Sequence, residues 1–309
     1  MKLEGIHHIT CITGDAPGNV EFYVGVLGLR LVKKSVNQDV PNIYHLFYAD
    51  EKGNAGSDIT FFEYPDIERG RAGAGMIYRI VWRVGSQDAL GFWEDRIAAH
   101  GFGVQRTAEA VRFEDPEGLE LELRVVDTTD PPLMAEHPEV PAECALQGFD
   151  GARAFSADPT RSRALLEQML GFTSSGSDTY ECRGSRRGSW WAYDENTTRG
   201  LQGAGSVHHI AWAAPMDEHA RWRDRVIEGG ASPTPIIDRF YFKSIYFREP
   251  SGVLFEIASL GPGFTVDEPE ERLGEKLSLP PSYEHMRAEV EPALTPLPDI
   301  RRWRPARTK

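Results

Sequence analysis

The sequence FEDPEGLELEL, from Phe113 to Leu123, aligns without gaps with FREPSGVLFEI, from Phe247 to Ile257. In both segments a strand-like run leads into an acidic-Pro-x-Gly turn, and a second strand-like run follows it. Proline presets the backbone of such a turn, and glycine supplies the freedom that a tight reversal needs. The match therefore predicts equivalent pairs of strands in two parts of one internally repeated chain.

The repeat extends beyond these two segments. Upstream of them, YRIVW (Tyr78–Trp82) aligns with HHIAW (His208–Trp212). A third match joins the remaining quarters of the chain, TGDAPGNVEFYVGVLGL (13–29) with SADPTRSRALLEQMLGF (156–172). In each of these last two segments an aspartate stands at the position of a helix N-cap and a glycine follows the helix end. The chain thus divides into four related units.

Each unit begins with a strand-like segment, and the four begin near Gly5, Met76, Gly148 and Val207. An amphipathic helix is expected next in each unit, at Asn19–Leu27, Gln87–His100, Arg161–Leu170 and Asp217–Glu228. Short strands separated by Gly or Pro turns follow, although the last strand of the third unit is not evident within 178–205. We predict an α+β protein of four βαβββ modules, which form two cupped mixed β-sheet barrels with flanking helices.

The division along the chain follows from the repeat. We expect modules 1 and 2 in residues 1–125 and modules 3 and 4 in residues 144–262. The Pro- and Asp-rich segment 126–143 is typical of a linker. Residues 263–309 are Pro-rich and charged, and they predict a C-terminal tail with one short helix near Tyr283–Val290.

The composition, 40% hydrophobic and 26% charged over 309 residues, is typical of a globular protein. The formal charge of −13 argues against nucleic-acid binding, which needs clustered Lys and Arg. The sequence contains neither an apolar run of membrane-spanning length nor a signal-peptide pattern, so we expect no membrane association. Three scattered cysteines fit a reducing cytoplasm. The sequence leaves open whether the chain forms a homo-oligomer.

Paired histidines occur in the first strand of two modules, His7-His8 in module 1 and His208-His209 in module 4. Glu256 lies in the apolar last strand of module 4, where a buried carboxylate needs a partner or a metal. Two histidines and a carboxylate suit Fe(II), because three protein ligands on one face leave positions for substrate and O2. We predict one metal ion at His8, His209 and Glu256, with Fe(II) preferred and Mn(II) or Zn(II) as alternatives.

The second histidine of each pair is expected to face the metal. The repeat aligns Arg79 with His209, and an ion pair between Arg79 and Glu122 would make that position inward-facing. By symmetry His8 is the ligand in module 1, and Thr10 shares its face because side chains alternate along a strand. The first histidine of each pair then points elsewhere or lies at the edge of the site.

One rival ligand is present in module 1. Glu63 lies in the last strand of its module, as Glu256 does in module 4, and is a candidate fourth ligand of the kind found in glyoxalase-like sites. Because His8 and Glu256 must approach one metal, module 1 should pack against module 4. Modules 2 and 3 should then form a second, metal-free cup with the linker beside it.

The chain resembles the vicinal-oxygen-chelate superfamily, and within it the ring-cleaving dioxygenases that act on hydroquinones. The resemblance covers about residues 4–266 and rests on three motifs, which are GIHHITCITGDA (5–16), GSVHHIAW (205–212) and DRFYFKSIYFREPSGVLFEIASLGPGF (238–264). It implies iron ligands at His8, His209 and Glu256. The positions that the resemblance implies beside the ligands or in contact with the substrate are His7, Thr10, His208, Arg239 and Tyr246.

The resemblance implies an Fe(II)-dependent, extradiol-type dioxygenase whose partners are a small aromatic substrate and O2. From the residues alone, Arg239 could equally be a surface residue and Tyr246 a core aromatic. Two other functions are kept as alternatives: a metal-dependent isomerase or lyase of the glyoxalase kind, which Glu63 would favour, and a non-catalytic protein that binds aromatic compounds.

Overall fold

The structure is a computed structural model that describes residues 1–304. Its sixteen strands fall into four βαβββ modules, as the repeat predicts. The strands of modules 1 and 2 are β1 (Ile6–Thr13), β2 (Arg30–Val36), β3 (Tyr44–Ala49), β4 (Asp58–Glu63), β5 (Met76–Val84), β6 (Val104–Arg106), β7 (Ala110–Glu114) and β8 (Glu120–Val125). Those of modules 3 and 4 are β9 (Phe149–Ser156), β10 (Thr173–Gly176), β11 (Thr179–Arg183), β12 (Gly188–Glu195), β13 (Ser206–Ala214), β14 (Ile237–Asp238), β15 (Phe242–Arg248) and β16 (Leu254–Pro262).

A helical segment follows the first strand of every module. In module 1, α1 (Ala16–Val20) continues as a π-helical segment, Glu21–Val26, and the predicted cap Asp15 accepts a hydrogen bond from the Gly18 amide. Modules 2 and 4 contain α2 (Gln87–Ala99) and α3 (His219–Glu228). Module 3 has a 3-10 turn, Pro159–Ser162, and a π-helical turn, Leu165–Met169.

The strands form two eight-stranded mixed sheets, and each sheet joins one module from each half of the chain. The first sheet has the order β14-β15-β16-β13-β1-β4-β3-β2, and the second β10-β11-β12-β9-β5-β8-β7-β6. At the centre of each sheet the first strands of two modules pair antiparallel, β1 with β13 and β5 with β9. Module 1 therefore packs with module 4, and module 2 with module 3, which confirms the predicted fold class and pairing.

In the second sheet, other residues stand at the positions that correspond to the paired histidines of the first sheet. Gly151 stands where module 1 has His8, and a Cβ there would lie 2.3 Å from the indole of Trp190. Trp190 donates its indole N–H to Asp150 Oδ2 at 2.6 Å. A bulky aromatic ring therefore lies beside Gly151, where a side chain equivalent to His8 would have to stand.

The predicted partner of Arg79 is corrected in part. Arg79 bonds mainly to Glu120, at 2.8 Å from Nη2, and only reaches Glu122 at 3.5 Å. The reason is the register, because Arg79 pairs across β5 and β8 with Glu120, whereas Glu122 lies opposite Arg112 on β7. Arg112 Nε accordingly donates to Glu122 at 2.7 Å.

The linker and the tail lie against the two sheets. Asp130, in the linker, accepts hydrogen bonds from Arg83 at 2.7 Å and Arg183 at 2.8 Å, both in the second sheet. The tail contains the short helix α4 (Arg287–Val290), where one was predicted, and residues 305–309 of the predicted tail lie outside the described residues. No helix within 1–304 has both the length and the apolar run needed to cross a bilayer.

Lys33 anchors the tail to the first sheet. Its ammonium group is fully buried and bonds to Glu268, to Asp267 at 2.7 Å and to the carbonyl of Phe264 at 3.2 Å. A buried charge whose partner is removed is strongly destabilising, because the remaining charge stays desolvated.

We expect Lys33→Ala to lower the free energy of unfolding by about 3 kcal/mol, because Glu268 is left buried without its partner. Lys52→Ala is the matched control, since Lys52 is exposed and pairs with another tail residue, Glu270, at 3.3 Å. The control should change the free energy by less than about 1 kcal/mol. Urea unfolding measures both, and equal effects would contradict the anchoring role of Lys33.

Candidate metal centre

Three side chains from the two central strands and β16 converge in the first sheet. Glu256 Oε2 lies 3.1 Å from His8 Nε2 and 2.9 Å from His209 Nε2. The two imidazole nitrogens lie 3.4 Å apart. All three residues are buried, and they are the one group of potential metal ligands found within residues 1–304.

The geometry fits a metal better than a hydrogen-bonded cluster. Although both histidines approach Glu256 Oε2, this fully buried oxygen has no hydrogen-bond partner with acceptable angles. Neighbouring ligands on one face of an octahedron lie about 3.0 Å apart when each bond is about 2.1 Å. The observed separations of 2.9 to 3.4 Å match such a face, so the three residues could hold one divalent ion and leave its opposite side open.

The carboxylate is held by a second contact. Ser244, on β15, donates its hydroxyl hydrogen to Glu256 Oε1, the oxygen that does not face the histidines. Burial opposes the charge of Glu256, but His8 and His209 hold the pKa of its carboxyl well below the usual range. Glu256 is therefore an anion with one oxygen committed to Ser244 and the other directed at the two imidazoles.

A β-bulge on each central strand brings the first histidine of each pair close to the second. The register of β1 with β13 skips His7 on one strand and His208 on the other. A bulge puts two residues opposite one and re-aims their side chains, so simple alternation fails here. His7 Nδ1 lies 2.9 Å from His8 Nδ1, and His208 Nδ1 lies 2.7 Å from His209 Nδ1.

These contacts set the tautomers of the inner histidines. If His8 and His209 present Nε2 lone pairs to a metal, their Nδ1 atoms carry the hydrogen and donate it to the outer histidines. Burial, with the neighbouring inner histidine, lowers the pKa of both His7 and His208 to about 3, so both can accept as neutral rings. His7 then donates from Nε2 to the carbonyl of Ser259 at 3.0 Å. His208, which lines the cavity, keeps its hydrogen on Nε2.

A cavity of about 310 Å³ opens beside the three potential ligands. Its wall combines His8, His209 and His208 with apolar side chains, which are Val36, Phe47, Phe62, Ile237, Phe242 and Leu254. Such a cavity, largely apolar with a few converging polar groups, is typical of a site for a small molecule. Its dimensions suit one aromatic ring.

Arg239 and Tyr246 both line this cavity, so neither is only a surface or core residue. The Tyr246 ring stands edge-on to His209 at 5.7 Å, and burial raises the pKa of its hydroxyl above the usual value. Arg239 Nε donates to Tyr246 Oη at 3.3 Å, while its Nη2 lies 3.0 Å from Asp39 Oδ2. The Arg239–Asp39 ion pair thus joins the turn between β14 and β15 to the loop between β2 and β3.

Thr10 lies near the site but not on the cavity wall. It is fully buried on β1, and Thr60 on β4 donates a hydrogen bond to its Oγ1 at 2.9 Å. Thr10 can therefore position its neighbours, but it has no direct access to a ligand in the cavity.

Glu63 is not close to the three potential ligands, which corrects the proposed fourth ligand. The register places Thr60, not Glu63, at the position equivalent to Glu256, because Thr60 pairs with Thr10 as Glu256 pairs with Ala211. Three residues further along the strand, Glu63 lies on the opposite face and accepts a hydrogen bond from the Ala16 amide at 3.3 Å.

The sequence interpretation missed His45. This residue lies on β3 and lines the cavity, and its Nε2 is 2.9 Å from Thr60 Oγ1. The signal was present in the repeat, because the register makes His45 equivalent to Ser244 and Thr60 equivalent to Glu256. The contact between Ser244 and Glu256 in module 4 thus recurs as His45 with Thr60 in module 1.

Comparisons with known proteins agree with this arrangement. Residues 5–123 match the family model described as the Glyoxalase/Bleomycin resistance protein/Dioxygenase superfamily. The chain is 39% identical to "Putative ring-cleaving dioxygenase MhqA" of Bacillus subtilis (strain 168), over 96% of this chain and 100% of that protein. It is 32% identical to a chlorohydroquinone/hydroquinone 1,2-dioxygenase of Sphingobium indicum, over 94% of this chain and 95% of that protein.

Solved structures also superpose on this chain. A crystal structure described as a "putative dioxygenase" from Bacillus subtilis superposes with a TM-score of 0.89 at 39% identity and covers 96% of this chain and 98% of its own. Glyoxalase I from Zea mays superposes with a TM-score of 0.61 at 14% identity, over 87% of this chain and 96% of its own. This second likeness concerns the fold alone.

We expect His8→Ala, His209→Ala and Glu256→Ala each to lose bound divalent metal, because each removes one of three protein donors. Metal content after anaerobic reconstitution and gel filtration, measured by mass spectrometry, tests this directly. Glu63→Gln is the control and should retain the metal of the wild type. Full metal occupancy in any of the three alanine variants would refute this ligand set.

Proposed function

Because the chain belongs to the glyoxalase/bleomycin resistance protein/dioxygenase superfamily, we propose that it is an Fe(II)-dependent ring-cleaving dioxygenase of substituted hydroquinones. The proposal includes extradiol-type chemistry, in which the ring opens beside the hydroxyl group nearer the metal ligands. The partners are then a small para-diphenol and O2.

One observation carries the proposal. His8, His209 and Glu256 form a single triangular face of donors that borders an aromatic-lined cavity. Two histidines and one carboxylate on one face are characteristic of non-haem Fe(II) oxygenases. When bound, iron would supply the redox chemistry that joins O2 to the ring.

The surrounding residues can position the substrate and stabilise charge. Arg239 carries a fixed positive charge on the cavity wall and can stabilise negative charge that develops on the substrate. Tyr246 stays protonated and receives a hydrogen bond from Arg239, so its own hydroxyl hydrogen remains free to donate to an oxygen atom beside His209. His208 offers a further N–H donor from the same wall.

The glyoxalase-like alternative, a metal-dependent isomerase or lyase, loses the feature that favoured it. It depended on a carboxylate from module 1 as fourth ligand, and Thr60 occupies that position while Glu63 contacts α1. Within residues 1–304, Glu256 is the one carboxylate in the group of potential metal ligands.

The decisive experiment uses protein purified and loaded with iron without air. Metal analysis is followed by O2-uptake measurement with hydroquinone and with catechol. The proposal expects about one iron per chain and O2 consumption with hydroquinone, accompanied by a ring-opened product in mass spectrometry. Full iron loading with neither O2 uptake nor ring opening across a panel of substituted hydroquinones would contradict it.

We expect Tyr246→Phe and Arg239→Ala to keep iron but to lower kcat on the order of 100-fold, because each removes a positioned donor or charge. Stopped-flow O2 uptake measures the loss. Arg248→Ala, a surface substitution on the same strand as Tyr246, is the control and should retain wild-type kcat. Wild-type kinetics in the Tyr246 and Arg239 variants would return both residues to a structural role.

A further inference from the structure

His45 is a polar residue of the cavity that the proposed chemistry does not yet use. It lies on β3, which β4 separates from β1, and it lines the cavity together with His8 and His209. Its ring is held between Phe47 and Phe62, at centroid distances of 3.9 and 4.4 Å. These two phenylalanines fix the plane of the imidazole.

Thr60 determines which ring nitrogen carries the hydrogen. The Thr60 hydroxyl donates to Thr10 Oγ1 at 2.9 Å, so its oxygen is left to accept from His45 Nε2 at 2.9 Å. His45 therefore carries its hydrogen on Nε2. Its Nδ1 holds a lone pair and has no hydrogen-bond partner among residues 1–304.

The ring is also kept neutral. Burial holds the pKa of His45 well below its usual value, and nearby His8 and His209 act in the same direction. Nδ1 is thus an acceptor that lacks an acidic hydrogen at neutral pH.

Several other polar groups on the wall are donors or are acceptors that are already engaged. Arg239 has only donors, and the tautomer derived for His208 leaves it a donor at Nε2. The side-chain oxygen of Asn37 already accepts from the Asp39 amide at 2.8 Å. Both carboxylate oxygens of Asp39 accept from Arg239, at 3.2 and 3.0 Å. His45 Nδ1 is therefore an available acceptor for a ligand hydroxyl on this side of the cavity.

We propose that His45 Nδ1 accepts a hydrogen bond from the substrate hydroxyl that lies para to the hydroxyl at the metal ligands. The inference rests on the proposed function and identifies how that site distinguishes para-diphenols from other phenols. A para-diphenol cannot bring both oxygens to one metal, so its second hydroxyl needs a protein partner. Because this hydroxyl is neutral, it donates to a neutral imidazole without a change of protonation.

The test compares binding of two ligands to iron-loaded protein without O2, by calorimetry. Hydroquinone has the distal hydroxyl, and 4-methylphenol replaces it with a methyl group. One neutral hydrogen bond corresponds to about a five- to tenfold difference in Kd. We expect the wild type to favour hydroquinone by this ratio or more.

His45→Phe keeps an aromatic ring between Phe47 and Phe62 but removes the acceptor. We expect it to bring the ratio of the two Kd values close to one, with 4-methylphenol binding unchanged. His45→Leu removes both ring nitrogens and keeps an apolar side chain between the two phenylalanines, so it should lose the preference too. His100→Phe is the control, because it makes the same exchange at an exposed histidine at the end of α2, outside the cavity, and should keep the wild-type ratio.

An unchanged ratio in His45→Phe would overturn the inference, as would a wild type without preference for hydroquinone. If His45→Phe does not fold, the ratio in His45→Leu decides in the same way. The binding measurement involves no turnover, so its result is separate from the proposed function. Absence of O2 uptake by the wild type would refute ring cleavage. The proposed hydrogen bond to His45 is tested by the Kd ratios alone.

Discussion

The antiparallel pairing of β1 with β13 is the constraint on which the site depends. It places His8 and His209 side by side across the centre of the first sheet, although they are 201 positions apart in sequence. The parallel neighbour of β13, β16, then delivers Glu256 to the same point. One bulge on each central strand turns His7 and His208 toward their neighbours, so the sheet that forms the fold also orients the donors and the imidazoles behind them.

The second sheet shows that topology alone does not make such a centre. It repeats the central antiparallel pair and both bulges, at Tyr78 and Asp150. There the equivalent positions hold Arg79 and Gly151, the carboxylate of Glu122 is paired with Arg112, and Trp190 packs against Gly151. The two sheets thus share the central strand pairing and the bulges but differ in the side chains at the equivalent positions. In the first sheet these are two histidines and a carboxylate that could bind a metal, whereas in the second sheet the charged side chains form ion pairs.

The sequence predicted the four modules, their pairing and the convergence of His8, His209 and Glu256, because a repeat transfers positions from one copy to the next. It misjudged Glu63, since hydrogen-bond register depends on loop lengths, and a shift of three residues moves a side chain to the opposite face. It also relied on strict alternation, which the bulges at His7 and His208 break. His45 is not evident from the sequence, because the repeat motifs do not align β3 with β15, where the equivalent residue is Ser244.

The central claim is that modules 1 and 4 together hold one iron ion at His8, His209 and Glu256. X-ray diffraction from iron-loaded crystals, recorded at energies on both sides of the iron absorption edge, locates that ion independently of activity. The account predicts one strong anomalous peak per chain, bounded by Nε2 of His8, Nε2 of His209 and Oε2 of Glu256, and none in the second sheet. An iron peak at any other set of side chains, or none at these three in fully loaded protein, would contradict it.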